Sequence, residues 1–188
     1  YVIDLSSEYR YDDDVPLVIP EINGYEIKKL KKPTLIANPN CSVSQLLLAI
    51  QPIHEEFSIN FINIATYQAV SGTGKEAINE FENQLAGKED IKIYPKRIAG
   101  NVIPQCDVFL ENDFTKEEMK ISWETQKILD PKIFVQSTCV RAPVTNGHSE
   151  AVFLRTKDKT TKENLHKILL ETRGIKLIDN PSKNISRI

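Results

Sequence analysis

The residue best suited to chemistry in this sequence is Cys41. It follows Leu35–Ala37, an apolar segment that predicts a short buried strand, and Asn38-Pro39-Asn40 ends that strand. A helix is predicted next, which places the Cys41 thiol in its first turn with Asn40 as the N-cap. Unpaired backbone N–H groups and the positive end of the helix dipole favour a thiolate there. The position therefore predicts a nucleophile, with Asn40 as a donor to an oxyanion, although a small apolar filler is the alternative.

A nucleophilic thiol needs a group that moves a proton, and His148 is the best candidate among the three histidines. It follows the tight-turn dipeptide Asn146-Gly147 and begins a predicted strand, which can hold the imidazole ring rigidly. His54 is predicted to follow the end of a helix and His166 to lie in an amphipathic helix, and both are expected at the surface. Cys41 and His148 are far apart in the chain, so the sequence alone does not show that they meet.

Other polar side chains have types and positions that suit ligand binding. Arg141 leaves a predicted strand just before Pro143, and its planar guanidinium matches a carboxylate, although an ordinary salt bridge explains it equally well. Glu117 and Lys120 share one face of a predicted helix, where a solvated ion pair is the simpler interpretation. The stretch Ser71–Lys75 opens a helix and could contact phosphate, but it has the spacing of neither phosphate-loop motif.

The number and spacing of the cysteines indicate which cellular compartment to expect and whether to expect a metal site. Cys106 has no helix N-terminus beside it, and Cys139 lies inside a predicted strand, where a core role is expected. Three cysteines are too few for a disulfide framework and favour a reducing, cytoplasmic compartment. The sequence has neither paired cysteines nor two histidines at i and i+4, so no metal site is expected.

The composition is that of an ordinary globular protein. The 188 residues are 40% hydrophobic and 27% charged, which supplies a core and excludes a disordered tail or a collagen-like rod. A net charge of −2 gives no reason to expect nucleic-acid binding. No apolar run approaches the roughly 18–20 residues of a membrane span. The length suits one domain, or one with part of a second.

The elements that must position these side chains alternate between strands and helices. Strands are predicted at Val2–Leu5, Leu35–Ala37, Ile59–Thr66, Ile133–Val140, Ala151–Thr156 and Lys176–Ile178. Helices are predicted from Cys41 to a stop at Pro52, over Thr73–Leu85, from a capping box at Thr115 to near Asp130, and over Leu165–Leu170. Asn146-Gly147 predicts a hairpin between the strands beside it. The fold class is therefore α+β, with a mixed sheet and helices packed on one face.

Taken in order, these segments resemble the aspartate-semialdehyde dehydrogenase family. The segments that carry the resemblance are Leu5–Arg10, Asn38–Ser42, Thr66–Gly72, Glu117–Lys120, Cys139–Val144 and Gly147–Ala151. They cover essentially the whole chain. The resemblance implies a catalytic domain like that of glyceraldehyde-phosphate dehydrogenase and a homodimer.

The resemblance also implies a reaction, in which L-aspartyl 4-phosphate is reduced with NADPH to L-aspartate 4-semialdehyde and phosphate is released. This reaction serves the biosynthesis of lysine, threonine and methionine. Cys41 would attack the acyl phosphate and form a thioester, His148 would be the acid and base, and Gln68 would orient the substrate. A thioester route needs a thiolate, an oxyanion site and a proton donor, which agrees with the interpretation from the residues.

The same resemblance assigns the groups that bind substrate and cofactor. Arg141 would hold the α-carboxylate as a bidentate pair, and Glu117 would hold the ammonium group. Lys120 and Arg10 would bind the phosphate. The cofactor is expected to be NADP and to approach the pair Ser71 and Gly72. The expected partners are thus a small-molecule substrate and a second copy of the chain, with neither nucleic acid nor membrane.

Parts of the family's pattern are missing from the sequence. The glycine-rich turn of an N-terminal Rossmann domain is not present, so this domain is expected to be largely missing. Residues 1–37 are predicted to be a remnant of the cofactor domain and its connection, and residues 38–188 the catalytic and dimerisation domain. The 188 residues alone are expected to have little or no turnover.

Other functions stay open on the sequence alone. Another acyl-phosphate reductase is the nearest, although Arg141 and Glu117 together suit a substrate that is a free amino acid. A thiol-dependent hydrolase would use Cys41 without any nucleotide. A dimerising fragment with an idle site would use none of these groups.

Overall fold

The chain alternates strands and helices, as the periodicity of its apolar residues predicts. The structure is a computed structural model that describes residues 1–183. Its strands are β1 (Val2–Asp4), β2 (Leu35–Ala37), β3 (Ile59–Gln68), β4 (Phe134–Arg141) and β5 (Ser149–Thr156). Its helices are α1 (Pro20–Asn23), α2 (Tyr25–Lys29), α3 (Cys41–Phe57), α4 (Lys75–Leu85), α5 (Lys116–Ile128) and α6 (Lys162–Glu171), with short 3₁₀ turns at Val70–Thr73 and Pro181–Lys183.

Contacts within the chain divide it into two units. Unit 1 comprises Tyr1–Asn60 and the described residues from Arg155 onwards, and unit 2 comprises Phe61–Leu154. These units are groups of residues in mutual contact. The domain boundary between residues 37 and 38 stays a prediction.

In unit 1, a parallel strand pair leads into the longest helix. β1 and β2 pair from Val2 with Leu35 to Asp4 with Ala37. The helix α3 packs against α1 and α6. Its apolar residues repeat with helical spacing and are buried, because one stripe of the helix faces this core; they are Val43, Leu46, Leu47, Ile50, Ile53 and Phe57.

The predicted end of this helix at Pro52 is wrong, because α3 continues through Pro52 to Phe57. An interior proline costs a helix about 3 kcal/mol through a lost hydrogen bond and a clash. Ile53 and Phe57 lie beyond it and are both only 8% exposed. Burying two large apolar side chains is worth about 1.5–3 kcal/mol each, which together matches or exceeds the cost of the proline. The helix then ends at Ser58, which adopts a left-handed conformation.

Unit 2 is built on a sheet with β3 in the middle, in the order β4-β3-β5. β3 and β4 are parallel and pair from Phe61 with Phe134 to Gln68 with Arg141. One face of this pair is buried, with Ile62 and Ile64 nearly inaccessible, and α5 packs along β4. The predicted mixed sheet with helices is confirmed.

The predicted hairpin between β4 and β5 is wrong. The turn is present, and Gly147 has the left-handed backbone that a tight turn favours, with φ of 83°. However, β3 lies between the two strands, so they do not pair. The connection passes the end of β3, where Val70 and Ser71 donate backbone hydrogen bonds to Val144 and Thr145. Turn residues specify only that the chain reverses its direction. The long apolar strand β3 determines the strand order, because both β4 and β5 pair with it.

The capping box predicted at Thr115 is confirmed, and it fixes the start of α5. The Thr115 hydroxyl oxygen accepts from Glu118 N–H, and the Thr115 N–H donates to the Glu118 carboxylate. The other oxygen of that carboxylate accepts from the backbone N–H of Cys139 in β4 at 3.2 Å. The Ser137 hydroxyl also donates to the backbone carbonyl of Glu118. The first two turns of α5 carry Glu117 and Lys120, and the start of this helix is therefore tied to β4.

The irregular segment after α4 is held by two buried polar side chains that the sequence analysis missed. Glu80 accepts backbone hydrogen bonds from Lys92 and Ile93 at 2.7 and 2.6 Å. Gln84 accepts from Ile98 and Ala99 at 2.9 and 3.0 Å. These bonds satisfy the oxygens of two buried side chains, which would otherwise be costly to bury. The segment is thereby fixed over the core cluster of Val70, Ala77, Phe81, Tyr94, Ile98 and Ile103.

The described part of the C-terminal region differs from its prediction. Lys176–Ile178 forms no strand, so that prediction is wrong. Instead, Asp179 accepts from Lys162 and contacts the His166 ring at 2.7 Å. Within residues 1–183, none of the helices is both long and apolar enough to cross a membrane.

Candidate functional site

Most of the predicted site residues in unit 2 lie at the carboxyl ends of β3 and β4. These strands are parallel, so their carboxyl ends meet at one edge of the sheet. Gln68 and Arg141 form the last pair of their register. Both side chains belong to the buried face, with exposures of 2% and 6%. Buried polar side chains at such an edge need partners, and their partners define the site.

Ala69, the residue after β3, holds two of the predicted site residues through its backbone. Its N–H donates to Nδ1 of His148 at 3.0 Å. Its carbonyl accepts from Nη1 of Arg141 at 2.6 Å. One buried residue at the end of a strand thus fixes both the imidazole and the guanidinium. Sequence reasoning missed Ala69 because an alanine shows no sign of what its backbone does.

Arg141 presents a charged group that is nearly inaccessible and only partly hydrogen bonded. Its guanidinium carbon lies 5.9 Å from the centre of the Tyr94 ring, within the range of a cation–π contact. Its Nε is buried and has no hydrogen-bond partner within the described residues. An unsatisfied buried donor of a charged group is costly, so an anionic ligand that accepts from it would bind favourably.

The environment of His148 favours its neutral form. Burial lowers the pKa of His148 most strongly, and the nearby Arg141 charge lowers it further, against a smaller opposing effect of Glu117. In the neutral ring, Nδ1 accepts from Ala69 N–H, so the proton must be on Nε2. His148 therefore offers a hydrogen-bond donor at Nε2. To act as a base at Nε2, the ring would first have to change its tautomer, with the proton on Nδ1 instead of Nε2.

Glu117 lies between Gln68 and Lys120. One carboxylate oxygen accepts from Gln68 Nε2 at 3.1 Å, and the other accepts from Lys120 Nζ at 3.1 Å. Glu117 and Lys120 share the first turns of α5, as the sequence predicts, but their side chains are only 9% and 12% exposed. The simpler interpretation of a solvated surface pair is therefore wrong for these two residues.

Lys120 has a second partner, Asp107, whose Oδ2 lies 2.7 Å from Nζ. Burial alone would lower the pKa of Lys120, but the hydrogen bond that Lys120 donates to Asp107 and the charge of Glu117 raise it above its usual value. Burial alone would likewise raise the pKa of Asp107, but hydrogen bonds from Lys120 and from Val108 N–H hold it below. Both groups are therefore charged at neutral pH.

Ser71 and Gly72, predicted to meet a cofactor, lie in the 3₁₀ turn that follows Ala69. Gly72 is exposed and lies against the His148 ring. A Cβ on Gly72 would come within 3.1 Å of His148 Cε1 and 3.4 Å of Arg141 Nη1. The glycine therefore gives both side chains room and leaves a surface without a side chain next to the imidazole.

Cys41, Asn40 and Arg10 belong to unit 1. The predicted cap is confirmed, since Asn40 Oδ1 accepts from the N–H groups of Ser42 and Val43 at 2.9 and 3.4 Å. Cys41 is the first residue of α3 and is exposed, outside any disulfide. Asn40 and Arg10 are each only 7% exposed. An exposed thiol in the first turn of a helix is the setting that the sequence predicts for a nucleophile.

The other two cysteines are in settings that make them inert. Burial raises the pKa of Cys106 to about 11, and it raises the pKa of Cys139 further. Thiols with such pKa values hold little thiolate at neutral pH and react slowly. The core role predicted for Cys139 fits its complete burial.

Within the candidate site, Asp107 is a side chain that sequence reasoning missed. It lies in an irregular stretch without apolar periodicity, so nothing in its neighbourhood points to Lys120. No group of three or more His, Cys, Asp or Glu side chains suited to a metal ion is found among residues 1–183.

Comparison with known proteins agrees with this arrangement. A family model described as "Semialdehyde dehydrogenase, dimerisation domain" matches residues 50–186, and one described as "Semialdehyde dehydrogenase, NAD binding domain" matches residues 1–30. The aspartate-semialdehyde dehydrogenase of Shewanella violacea is 52% identical over 185 residues, which cover 95% of this chain and 55% of that protein. The chain thus spans about half the length of the curated relatives it matches.

Solved structures give the same result. Aspartate semialdehyde dehydrogenase II from Vibrio cholerae, solved in complex with ASA, superposes with a TM-score of 0.90 at 46% identity. The match covers 94% of this chain and 55% of that one. The catalytic fold predicted from the sequence is thereby confirmed.

We predict that His148 is neutral at pH 7 with its proton on Nε2. Nitrogen-15 NMR of labelled protein should show a pyrrole-type shift at Nε2 and a pyridine-type shift at Nδ1, because Ala69 N–H occupies Nδ1. The ring should titrate below an ordinary histidine, since burial and Arg141 lower its pKa. As the pH falls through that pKa, a proton on Nδ1 would face Ala69 N–H and the hydrogen bond would be lost.

His166, which is paired with Asp179 in unit 1, gives a second imidazole signal in the same spectrum and serves as the internal control for the assignment of the ring nitrogens. A neutral His148 ring protonated on Nδ1, or a titration above the ordinary histidine range, would show that the Ala69 contact does not set its protonation.

Proposed function

Because the chain belongs to the semialdehyde dehydrogenase family, we propose that it carries the substrate-converting part of an aspartate-semialdehyde dehydrogenase. In this proposal, L-aspartyl 4-phosphate is reduced to L-aspartate 4-semialdehyde with release of phosphate. The reaction belongs to the biosynthesis of lysine, threonine and methionine, and its compartment is the cytoplasm.

The observation that carries this proposal is a buried cation and a buried carboxylate at one strand edge. Arg141 has a buried Nε that a substrate α-carboxylate could satisfy, together with Nη2, as a bidentate pair. Glu117, held by Gln68, supplies a negative charge for an α-ammonium group. A free amino acid carries both charges, so a site of this kind favours it over a hydroxy acid or a simple aldehyde.

Cys41 is the proposed nucleophile. Its thiolate attacks the acyl carbon of the substrate, the carbon–oxygen bond to phosphate breaks, and a thioester forms. When the carbonyl carbon has been reduced, the carbon–sulfur bond breaks and Cys41 leaves as a thiolate. The first turn of α3 stabilises that thiolate through its N–H groups and the helix dipole. The Asn40 amide group donates to the oxyanion.

His148 and the basic residues complete the proposed machinery. The Nε2–H of His148 donates to charge that develops on the reacting group, and a change of tautomer would make the same ring a base. Lys120 binds the phosphate, and Arg10 is proposed to do the same. Gln68 orients the substrate through the carboxylate of Glu117.

The proposed cofactor is NADP, with Ser71 and Gly72 as the residues of unit 2 that would meet it. The exposed surface of Gly72, which lacks a side chain and lies beside the His148 ring, fits the flat face of a nicotinamide. When bound in its reduced form, the dinucleotide would supply the hydride that reduces the acyl carbon, and it would be left oxidised. Gly72 leaves room for His148 and Arg141, which a Cβ at this position would crowd.

We predict phosphate-dependent reduction of NADP by aspartate semialdehyde in a form of the protein that includes a nucleotide-binding domain. Cys41→Ala should lower turnover by about a thousandfold or more, because thioester formation needs the thiolate. Cys139→Ala, which removes a buried and inert thiol, is the control and should keep most of the activity. The 188 residues assayed alone should show little or no turnover.

The same assay distinguishes NADP from NAD as the cofactor and a dehydrogenase from a hydrolase. NAD in place of NADP tests the cofactor, and a hydrolase would cleave the acyl phosphate without either nucleotide. Full activity of Cys41→Ala, or reduction that does not depend on phosphate, would contradict the proposed reaction.

The proposed partner is a second copy of the chain, seated on the open face of the sheet. We define this open face by residues of β3 and β4 that alternate with buried ones. Asn63, Tyr67, Phe134, Gln136 and Thr138 are exposed, and Phe61 and Ala65 are half-buried. Phe61 and Phe134 stack with ring centres 5.9 Å apart, although Phe134 is 62% exposed. Stacked aromatic rings without a cover are typical of interfaces, and the matching family model is that of a dimerisation domain.

We predict that Phe134→Glu weakens the dimer, because a buried unpaired charge opposes association. Sedimentation equilibrium should show a dimer for the unmodified chain and at least a tenfold weaker association for the variant. Ile91→Glu is the matched control, since Ile91 is an exposed apolar residue outside the sheet. Equal association of both variants would place the interface elsewhere.

A further inference from the structure

Asp107 has a backbone conformation that is costly for its residue type. Its φ is 69°, in the left-handed region, which most residues other than glycine avoid. Aspartate and asparagine tolerate this region better than other residues because their side chains bond to nearby backbone. Asp107 does this through Oδ1, which accepts from Val108 N–H at 2.9 Å. This conformation directs the second oxygen, Oδ2, to Lys120.

Lys120 is the only cation that the structure shows bonded to Asp107 among the described residues, and it bonds to Glu117 as well. The contacts form a connected row of Gln68, Glu117, Lys120 and Asp107. One ammonium group is thus shared by two carboxylates. The two carboxylates differ in position, since Glu117 is held on α5 and is 9% exposed, whereas Asp107 lies in an irregular segment and is 31% exposed.

We propose that Asp107 is a positioning residue for Lys120. Its carboxylate pairs with the Lys120 ammonium group until a phosphate ion takes the place of Asp107. The proposal rests on the proposed function, in which Lys120 binds phosphate. Glu117 stays bonded to Lys120 and to Gln68, while the more exposed Asp107 carboxylate is the partner that a phosphate can displace. Asp107 therefore weakens phosphate binding, because its negative charge competes for the same ammonium group.

The test is the kinetics of Asp107→Asn in the form of the protein that includes a nucleotide-binding domain. Asparagine tolerates the left-handed backbone and keeps an acceptor oxygen, so the change removes mainly the charge. The KM for inorganic phosphate should fall by about three- to tenfold, since a like charge a few ångströms from the anion is removed. The KM for aspartate semialdehyde should change less than twofold. A merely structural role would move both constants together.

Asp113→Asn is the matched control, because Asp113 is also an aspartate with a left-handed backbone, at φ of 65°, and the hydrogen bonds and ion pairs of Lys120 among the described residues go to Asp107 and Glu117 instead. Its two KM values should each stay within twofold of the unmodified protein. Melting temperatures of both variants check that the fold is kept. A second variant, Asp107→Glu, keeps the charge and should leave the KM for phosphate above that of Asp107→Asn.

The outcomes separate this proposal from the proposed function. If the unmodified protein shows no phosphate-dependent reduction, the proposed function fails and the proposal falls with it. If it does, but Asp107→Asn has an unchanged or higher KM for phosphate, the role of Asp107 is overturned while the reaction stands.

Discussion

The arrangement of the candidate site in unit 2 depends on the backbone of one residue, Ala69. Its N–H donates to His148, and its carbonyl accepts from Arg141. One residue at the end of β3 thus determines which nitrogen of the imidazole carries the proton and how the guanidinium is oriented. Strand ends suit this purpose, because the sheet fixes the backbone while the last residue still has groups to offer. Gly72 completes the arrangement by leaving room where a Cβ would crowd both side chains.

The second organising feature is the polar side of α5. A helix that packs on a sheet normally turns an apolar stripe towards it. Here Glu117 and Glu124 are buried on α5, and Glu118 both caps the helix and accepts from a backbone N–H of β4. The charges cost free energy to bury unless they are paired, which explains the close contacts of Glu117 with Gln68 and Lys120. These contacts hold the Glu117 carboxylate, which is proposed to bind the ammonium group of the substrate, beside the strand ends before any ligand binds.

Much of the fold could be predicted because local signals were strong. The Asn40 cap, the Thr115 capping box and the strand at Ile59–Thr66 were each predicted from neighbouring residues, and each is confirmed. The hairpin was wrong because the choice of neighbouring strand depends on distant packing. The stop at Pro52 was wrong because burial of Ile53 and Phe57 outweighs a local penalty.

The candidate site could be predicted in its residue types but not in its connections. Arg141, Glu117 and His148 were found from their chemistry and from the family resemblance. The role of Ala69 is carried by backbone atoms, which every residue possesses, and Asp107 reaches Lys120 from a stretch without periodicity. Contacts of these kinds join distant parts of the chain, so no pattern within one segment reveals them.

The central claim is that Arg141 is held with a buried donor directed at a carboxylate ligand. The most direct measurement is NMR of the Arg141 Nε–H in the 188-residue chain, with and without L-aspartate as an α-carboxylate probe. We expect the Nε–H resonance to move downfield and its exchange with water to slow when L-aspartate is added, with no such change in Arg97, which already donates to backbone carbonyls. An Arg141 Nε–H that does not respond to saturating L-aspartate would contradict the account.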